Sequence, residues 1–178
     1  STPRRTSAKN LVNCSPDLPP VAYNNTWPVA DKMPGSLKIA LMRTLGRINR
    51  DKDLDFQVNI ADGLMFRGEK RDLEEMVGNL LDNACKWTRG VVRVQAAIDP
   101  TLATRIRITI EDDGDGMAAD QYENVLKRGT RLDETTPGTG FGLSIVNDLA
   151  KAYNGSLRLD KSALGGLKTV LIIPMVKE

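Results

Sequence analysis

From Ser36 onward the apolar positions sort into helix and strand periods. Leu37, Ala40, Leu41, Leu45 and Ile48 share one face of a helix that Ser36 is suited to cap. Phe56, Val58 and Ile60 alternate with Gln57 and Asn59, the period of a strand. The strongest helical signal is Leu73, Met76, Val77, Leu80, Leu81, Ala84 and Cys85, which fall on a single stripe. Val91–Ala97 and Arg105–Glu111 read as two further strands, the second with Ile106, Ile108 and Ile110 inward and Arg105, Arg107 and Thr109 outward. A glycine-bearing turn follows, then a short helix near Asp120–Leu126 and a loop rich in Gly, Thr and Pro. Leu143, Val146, Leu149, Ala150 and Tyr153 mark a helix from about Gly142 to Tyr153. Ser156–Asp160 and Lys168–Ile173 form a hairpin joined around Gly165-Gly166. These elements predict an α+β fold, a two-layer α/β sandwich. Its sheet is mixed but mostly antiparallel, and helices cover one face.

Residues 1–36 break this regularity, with six of the nine prolines of the chain. Ser15-Pro16-Asp17-Leu18-Pro19-Pro20 cannot be helix interior, because proline lacks the amide donor and clashes with the preceding turn. The expected division is a linker or peripheral extension over 1–36, with a short strand near Leu11-Val12, and one domain over 37–178.

Composition narrows the function. Of 178 residues, 40 % are hydrophobic and 27 % charged, enough for a packed core. Lys and Arg number 25 against 23 Asp and Glu, a net charge of +2 that argues against a nucleic-acid partner. No apolar run has the length of a membrane span, and no signal peptide is visible, so no direct membrane contact is expected of this domain. Cys14 and Cys85 are far apart without metal-site spacing, which suits a reduced, cytosolic thiol at Cys85. The chain has no histidine, which excludes histidine bases, imidazole metal ligands and Ser/His hydrolases.

Three constellations carry chemistry. Asn79 and Asn83 lie one helical turn apart, with Asp82 and Lys86 beside them. Amide oxygens are neutral hard ligands suited to Mg²⁺ that already carries phosphate oxygens, and Lys86 offers a compact charge for phosphate. An incidental set of amides on a solvated helix back is the competing reading. Second, Glu111-Asp112-Asp113-Gly114-Asp115-Gly116-Met117 follows a strand directly. Such a turn is ordinary punctuation, yet its carboxylates repel one another, and glycines let a planar ligand approach the backbone. Third, Gly138-Thr139-Gly140-Phe141-Gly142-Leu143 opens a helix, whose free amides favour an anion. It is neither the dinucleotide fingerprint nor a Walker loop. Between the last two lies Lys127-Arg128-Gly129-Thr130-Arg131, either a solvated basic run or a lid whose arginines reach phosphates.

Taken in order, these motifs resemble the ATP-binding catalytic domain of sensor histidine kinases, in the GHKL superfamily (Bergerat fold) shared with gyrase, Hsp90 and MutL. Asn79-Leu80-Leu81-Asp82-Asn83-Ala84-Cys85-Lys86 resembles the N box. Asp113-Gly114-Asp115-Gly116 resembles the first G box and Gly138–Leu143 the second. Asp82–Lys86 followed by an aromatic, with Arg128-Gly129-Thr130-Arg131-Leu132-Asp133, looks closest to PhoQ-like kinases. The resemblance spans about residues 37–174.

The resemblance implies site roles. Asn83 would coordinate Mg²⁺ with help from Asn79, and Lys86, Arg128 and Arg131 would contact the phosphates of ATP. Asp113 would accept the adenine amine, with Gly114, Gly116 and Met117 at the base edge and Trp87 near the nucleotide. Gly138, Thr139, Gly140, Phe141, Gly142 and Leu143 would complete the cradle. Leu126 stands where the family's usual lid phenylalanine is, and Asp115 replaces the common proline or apolar residue. The implied activity is transfer of the γ-phosphoryl group to a histidine on a separate dimerisation domain. A response regulator would be the further partner, and the location a cytoplasmic domain of a kinase anchored in a bacterial inner membrane. The alternatives are a GHKL-type ATPase, disfavoured because Asn79 stands where such enzymes carry a glutamate, and a degenerate domain that docks a partner without nucleotide.

Overall fold

The computed structural model describes residues 36–48, 53–127 and 142–176. In chain order the elements are α1 (Leu37–Ile48), β1 (Asp55–Ile60), α2 (Lys70–Trp87), β2 (Val91–Ile98), β3 (Arg105–Asp112), α3 (Tyr122–Leu126), α4 (Gly142–Ala152), β4 (Ser156–Lys161) and β5 (Leu167–Pro174). A single 3₁₀ turn, Ala119–Gln121, leads into α3. The strands form one sheet in the order β1-β2-β3-β5-β4. Only the β1–β2 pair is parallel, as its α2 crossover requires; the other three pairs are antiparallel. Each element read from periodicity is present, with ends shifted by a residue or two.

The core lies between the sheet and the helices. Leu73, Met76, Leu80 and Leu81 of α2 are fully buried, as are Ile106, Ile108 and Ile110 of β3 and Leu171 of β5. Each such side chain contributes roughly 1.5–3 kcal/mol relative to exposure. Leu37, Leu41 and Leu45 of α1, with Val146 and Ala150 of α4, extend the same layer. α2 therefore runs as the middle helix, packed against α1, α4 and β3.

The second face of the sheet is mostly polar, with Gln57, Arg93, Gln95, Arg107 and Arg158 along it. Thr109 points to that face as the alternation predicts, but it is buried. It pairs with Val170, also buried, and both sit on interior strands flanked from either side.

The start of α2 is held from a distance. Its N-cap, Glu69, makes no side-chain cap. Tyr153, just past α4, supplies the missing contacts: its hydroxyl donates to Asp72 Oδ2 and accepts from the Glu69 amide at 3.2 Å. The Tyr153 ring meets Phe66 edge-on, centroids 4.9 Å apart. The hydrogen bond to Asp72 raises the Tyr153 hydroxyl above its ordinary pKa, and burial adds to the shift. This clamp fixes α2 against α4, the two helices that carry the asparagine and glycine motifs. Among the described residues no helix is long and apolar enough to cross a membrane.

Candidate functional site

The site gathers where the C-terminal half of α2, the loop after β3 and the first turn of α4 converge. On α2, Asn79 Nδ2 donates to the Glu75 carbonyl at 2.9 Å, which orients the amide and leaves its oxygen outward. That oxygen lies beside the start of α4, 3.4 Å from where a β-carbon on Gly142 would stand. One turn on, Asn83 is half-buried and its side chain makes no hydrogen bond among the described residues. Hard amide oxygens of this kind fit Mg²⁺, which retains water and phosphate oxygens as further ligands. Lys86 Nζ sits 5.3 Å from the centre of the Trp87 ring, and Trp87 is 47 % exposed at the end of α2.

The loop after β3 divides its carboxylates among different neighbours. Asp113 Oδ1 accepts from Thr88 Oγ1 at 2.5 Å and from the amides of Arg89, Gly90 and Val91 at 2.8, 3.1 and 3.2 Å. Burial pushes the Asp113 carboxyl up, but these four donors outweigh it and hold the group below the usual carboxylate range. Asp115 points away and pairs with Arg89, both exposed. Asp112 is the buried member, 2 % exposed, with its Oδ1 accepting from the Gly114 amide at 2.9 Å and the Leu167 amide at 3.4 Å. Burial raises its pKa, only partly offset by the two amides, and the neighbouring Asp113 charge adds to the rise. Among the described residues nothing donates to Asp112 Oδ2.

Asp113 was the carboxylate expected to read an exocyclic amine; its Oδ1 is engaged by the turn that leaves α2. Asp112 is the carboxylate with a spare oxygen inside the fold. The spacing held the signal, since Asp-x-Gly-x-Gly begins at Asp112 and not at Asp113.

Close backbone approach explains two glycines here. A β-carbon on Gly114 would fall 2.1 Å from the Trp87 carbonyl, and one on Gly166 would fall 2.0 Å from Asp112 Oδ1. Gly166 also donates its amide to the Asp112 carbonyl at 3.1 Å. The turn between β4 and β5 thus lies directly on the Asp112 loop.

Residues 68–177 match the family described as histidine kinase-, DNA gyrase B-, and HSP90-like ATPase. The chain belongs to this family. It is 46 % identical over 115 residues to sensor protein kinase CarS of Pseudomonas aeruginosa, covering 65 % of this chain and 25 % of that protein. It is 37 % identical over 126 residues to the two-component sensor PhoQ of the same organism, covering 71 % and 28 %. Among solved structures, the mycobacterial sensor histidine kinase MprB superposes with a TM-score of 0.70 at 28 % identity, covering 82 % of this chain and 98 % of that one. The ATP-binding domain of PrrB from Mycobacterium tuberculosis gives 0.65 at 25 % identity, again covering 82 % and 98 %. The chain spans 25–28 % of the length of the first two curated relatives. It is an ATP-binding catalytic domain of the sensor histidine kinase type, with the two-layer GHKL fold that the motif order implied.

Within this histidine-kinase-type domain, the expected site residues separate into three groups. Asn79, Asn83, Lys86, Trp87, Gly114, Gly116, Gly142 and Leu143 stand on the elements that converge, while Met117, half-buried, packs on the core beneath the loop. Asp113 is on the same loop, with its Oδ1 on the turn that follows α2. Arg128, Arg131, Gly138, Thr139, Gly140 and Phe141 lie outside the described residues, as do residues 1–35. Sequence reasoning did not single out Asp112, whose Oδ2 is open, nor Gly166 and Leu167, which reach it from the β4–β5 turn and the start of β5 with no motif of their own.

Proposed function

We propose that this domain binds Mg·ATP with the adenine amine on Asp112 Oδ2 and the triphosphate along the α2–α4 junction. There it presents the γ-phosphoryl group to a histidine on a separate dimerisation domain. The observation that carries the reading is Asp112: a buried carboxylate with one oxygen fixed by backbone amides and the other left to a donor. Asn83 and Asn79 would hold the metal, which supplies charge neutralisation on the phosphates when bound. Lys86 would add a cation, and the amides at the first turn of α4 would face the phosphates. Arg128 and Arg131 are proposed for the same phosphates.

Positioning and charge complementarity are the whole of this domain's contribution. Neither asparagine can take a proton from water at neutral pH, which favours transfer to a separate acceptor over hydrolysis. A response regulator would receive the phosphoryl group from that histidine. The parent protein would be a sensor anchored in a bacterial inner membrane, with this domain on the cytoplasmic side. Calorimetric titration with Mg·ATP and Mg·GTP tests the reading: ATP should bind and GTP should not. Equal binding of the two, or none of either, would overturn it.

A further inference from the structure

We infer that Glu111 is a positioning residue for the base pocket, acting through the β4–β5 turn; the inference rests on the ATP-binding reading above. Glu111, the penultimate residue of β3, lies on the sheet face away from the helices, yet it is 5 % exposed. Its Oε1 accepts from Ser162 Oγ at 3.2 Å and from the Ala163 amide at 3.3 Å. Arg93 approaches the other oxygen at 3.8 Å. Ser162 Oγ in turn accepts from the Leu164 amide at 2.9 Å, and the Ser162 amide donates to the Gly166 carbonyl at 2.8 Å. A buried carboxylate therefore organises the whole turn from 162 to 166.

The same turn is gripped from the opposite side by the next residue in the chain. Gly166 donates to the Asp112 carbonyl, and the Leu167 amide reaches Asp112 Oδ1. The Gly166 carbonyl also lies 3.3 Å from a β-carbon position on Gly116, at the far end of the glycine loop. Consecutive strand residues project to opposite faces, so Glu111 and Asp112 hold one turn between them. If the turn shifts, the Leu167 amide on Asp112 Oδ1 and the Gly166 amide on its carbonyl shift with it, and Oδ2 loses its aim. Glu111 touches no nucleotide in this arrangement; it sets where the base-reading group points.

The test uses the 178-residue chain with two probes, Mg·ATP and Mg·tripolyphosphate. Glu111→Ala should weaken ATP about tenfold while tripolyphosphate, which has no base, binds as before. Glu111→Gln keeps an acceptor oxygen for Ser162 and Ala163, so it should restore most of the ATP affinity. Ser162→Ala, a milder change that leaves the Ala163 bond, should show the same base-selective loss in smaller degree and serves if Glu111→Ala does not fold. Equal losses for both probes, or no loss for ATP in either the alanine or the serine variant, would overturn the inference. Failure of the unsubstituted chain to bind ATP would instead overturn the functional reading itself.

Discussion

Asp112 and Asp113 are chemically identical and adjacent, and the fold gives them opposite duties. An Asn at position 112 must turn its oxygen toward the Gly114 and Leu167 amides, so its NH₂ faces the adenine amine. Two donors then meet, and Asp112→Asn should lower ATP affinity by roughly ten- to a hundredfold with little change in thermal midpoint. Asp113→Ala strips four donors of their acceptor. It should cost stability, about 1–3 kcal/mol, measured by urea unfolding, while adenine is still preferred over guanine. The pair also titrates differently. The raised Asp112 carboxyl contributes stability below the ordinary carboxylate range, and that contribution is lost as pH rises through its raised value. Ionised, it is the better acceptor, so ATP affinity should fall as pH drops through that value, and Asp112→Asn should flatten the profile. Asp99 behaves in reverse. Its carboxylate accepts from Thr101 Oγ1, outweighing burial, and from the Thr101 and Leu102 amides and Arg107, which lowers its pKa from 3.8 to about 2. Its contribution is present above pH 3.8 and is lost as pH falls toward about 2. Acid unfolding of Asp99→Asn should therefore lose part of its steepness in that window.

At the scale of elements, the sequence was most legible where one face is buried. The α2 stripe and the Ile106–Ile108–Ile110 alternation each have a single solution, and both are met. The site was legible only where its residues are close in the chain. Asn79 and Asn83 share a helix face by spacing alone. Gly166 and Leu167 reach Asp112 only because β5 inserts beside β3, and nothing local in the hairpin encodes that pairing. The different settings of Asp112 and Asp113 were not legible for a related reason: which carboxylate faces inward depends on the strand's register, and the turn after α2 competes for the other. The helix clamp was also unforeseen, since Tyr153 reads as one more apolar position on α4. Tyr153→Phe keeps the ring contact with Phe66 but leaves the Glu69 amide and Asp72 without their partner. It should destabilise the domain by about 1 kcal/mol, seen as a lower midpoint in urea. Gly166→Ala should do more, because its methyl group collides with the Asp112 carboxylate. Overpacking of this kind costs typically 1–3 kcal/mol, and here ATP binding should fail along with it.

For the molecule as a whole, the activity expected of the chain alone is binding without turnover. It contains no histidine, so phosphoryl transfer to histidine cannot occur within it. Phosphate release from Mg·ATP by the chain alone should stay near the uncatalysed level. Label from γ-phosphate should move only when a histidine-bearing helical dimerisation domain is added. Brisk release by the chain alone, abolished by Asn79→Ala, would revive the hydrolytic alternative.

The placement of β5 has a consequence for how the domain is made. The ribosome delivers α2, β3 and α4 before it delivers Leu167–Pro174, yet β5 lies between β3 and β4 in the sheet. A nascent chain halted before Leu167 would hold Asn79, Asn83 and Asp112 but lack the Leu167 amide that helps fix Asp112. ATP would then find no finished pocket on the growing polypeptide. Nucleotide would engage only after the last strand threads into the sheet, and by mass action it would stabilise that closed form against every earlier one.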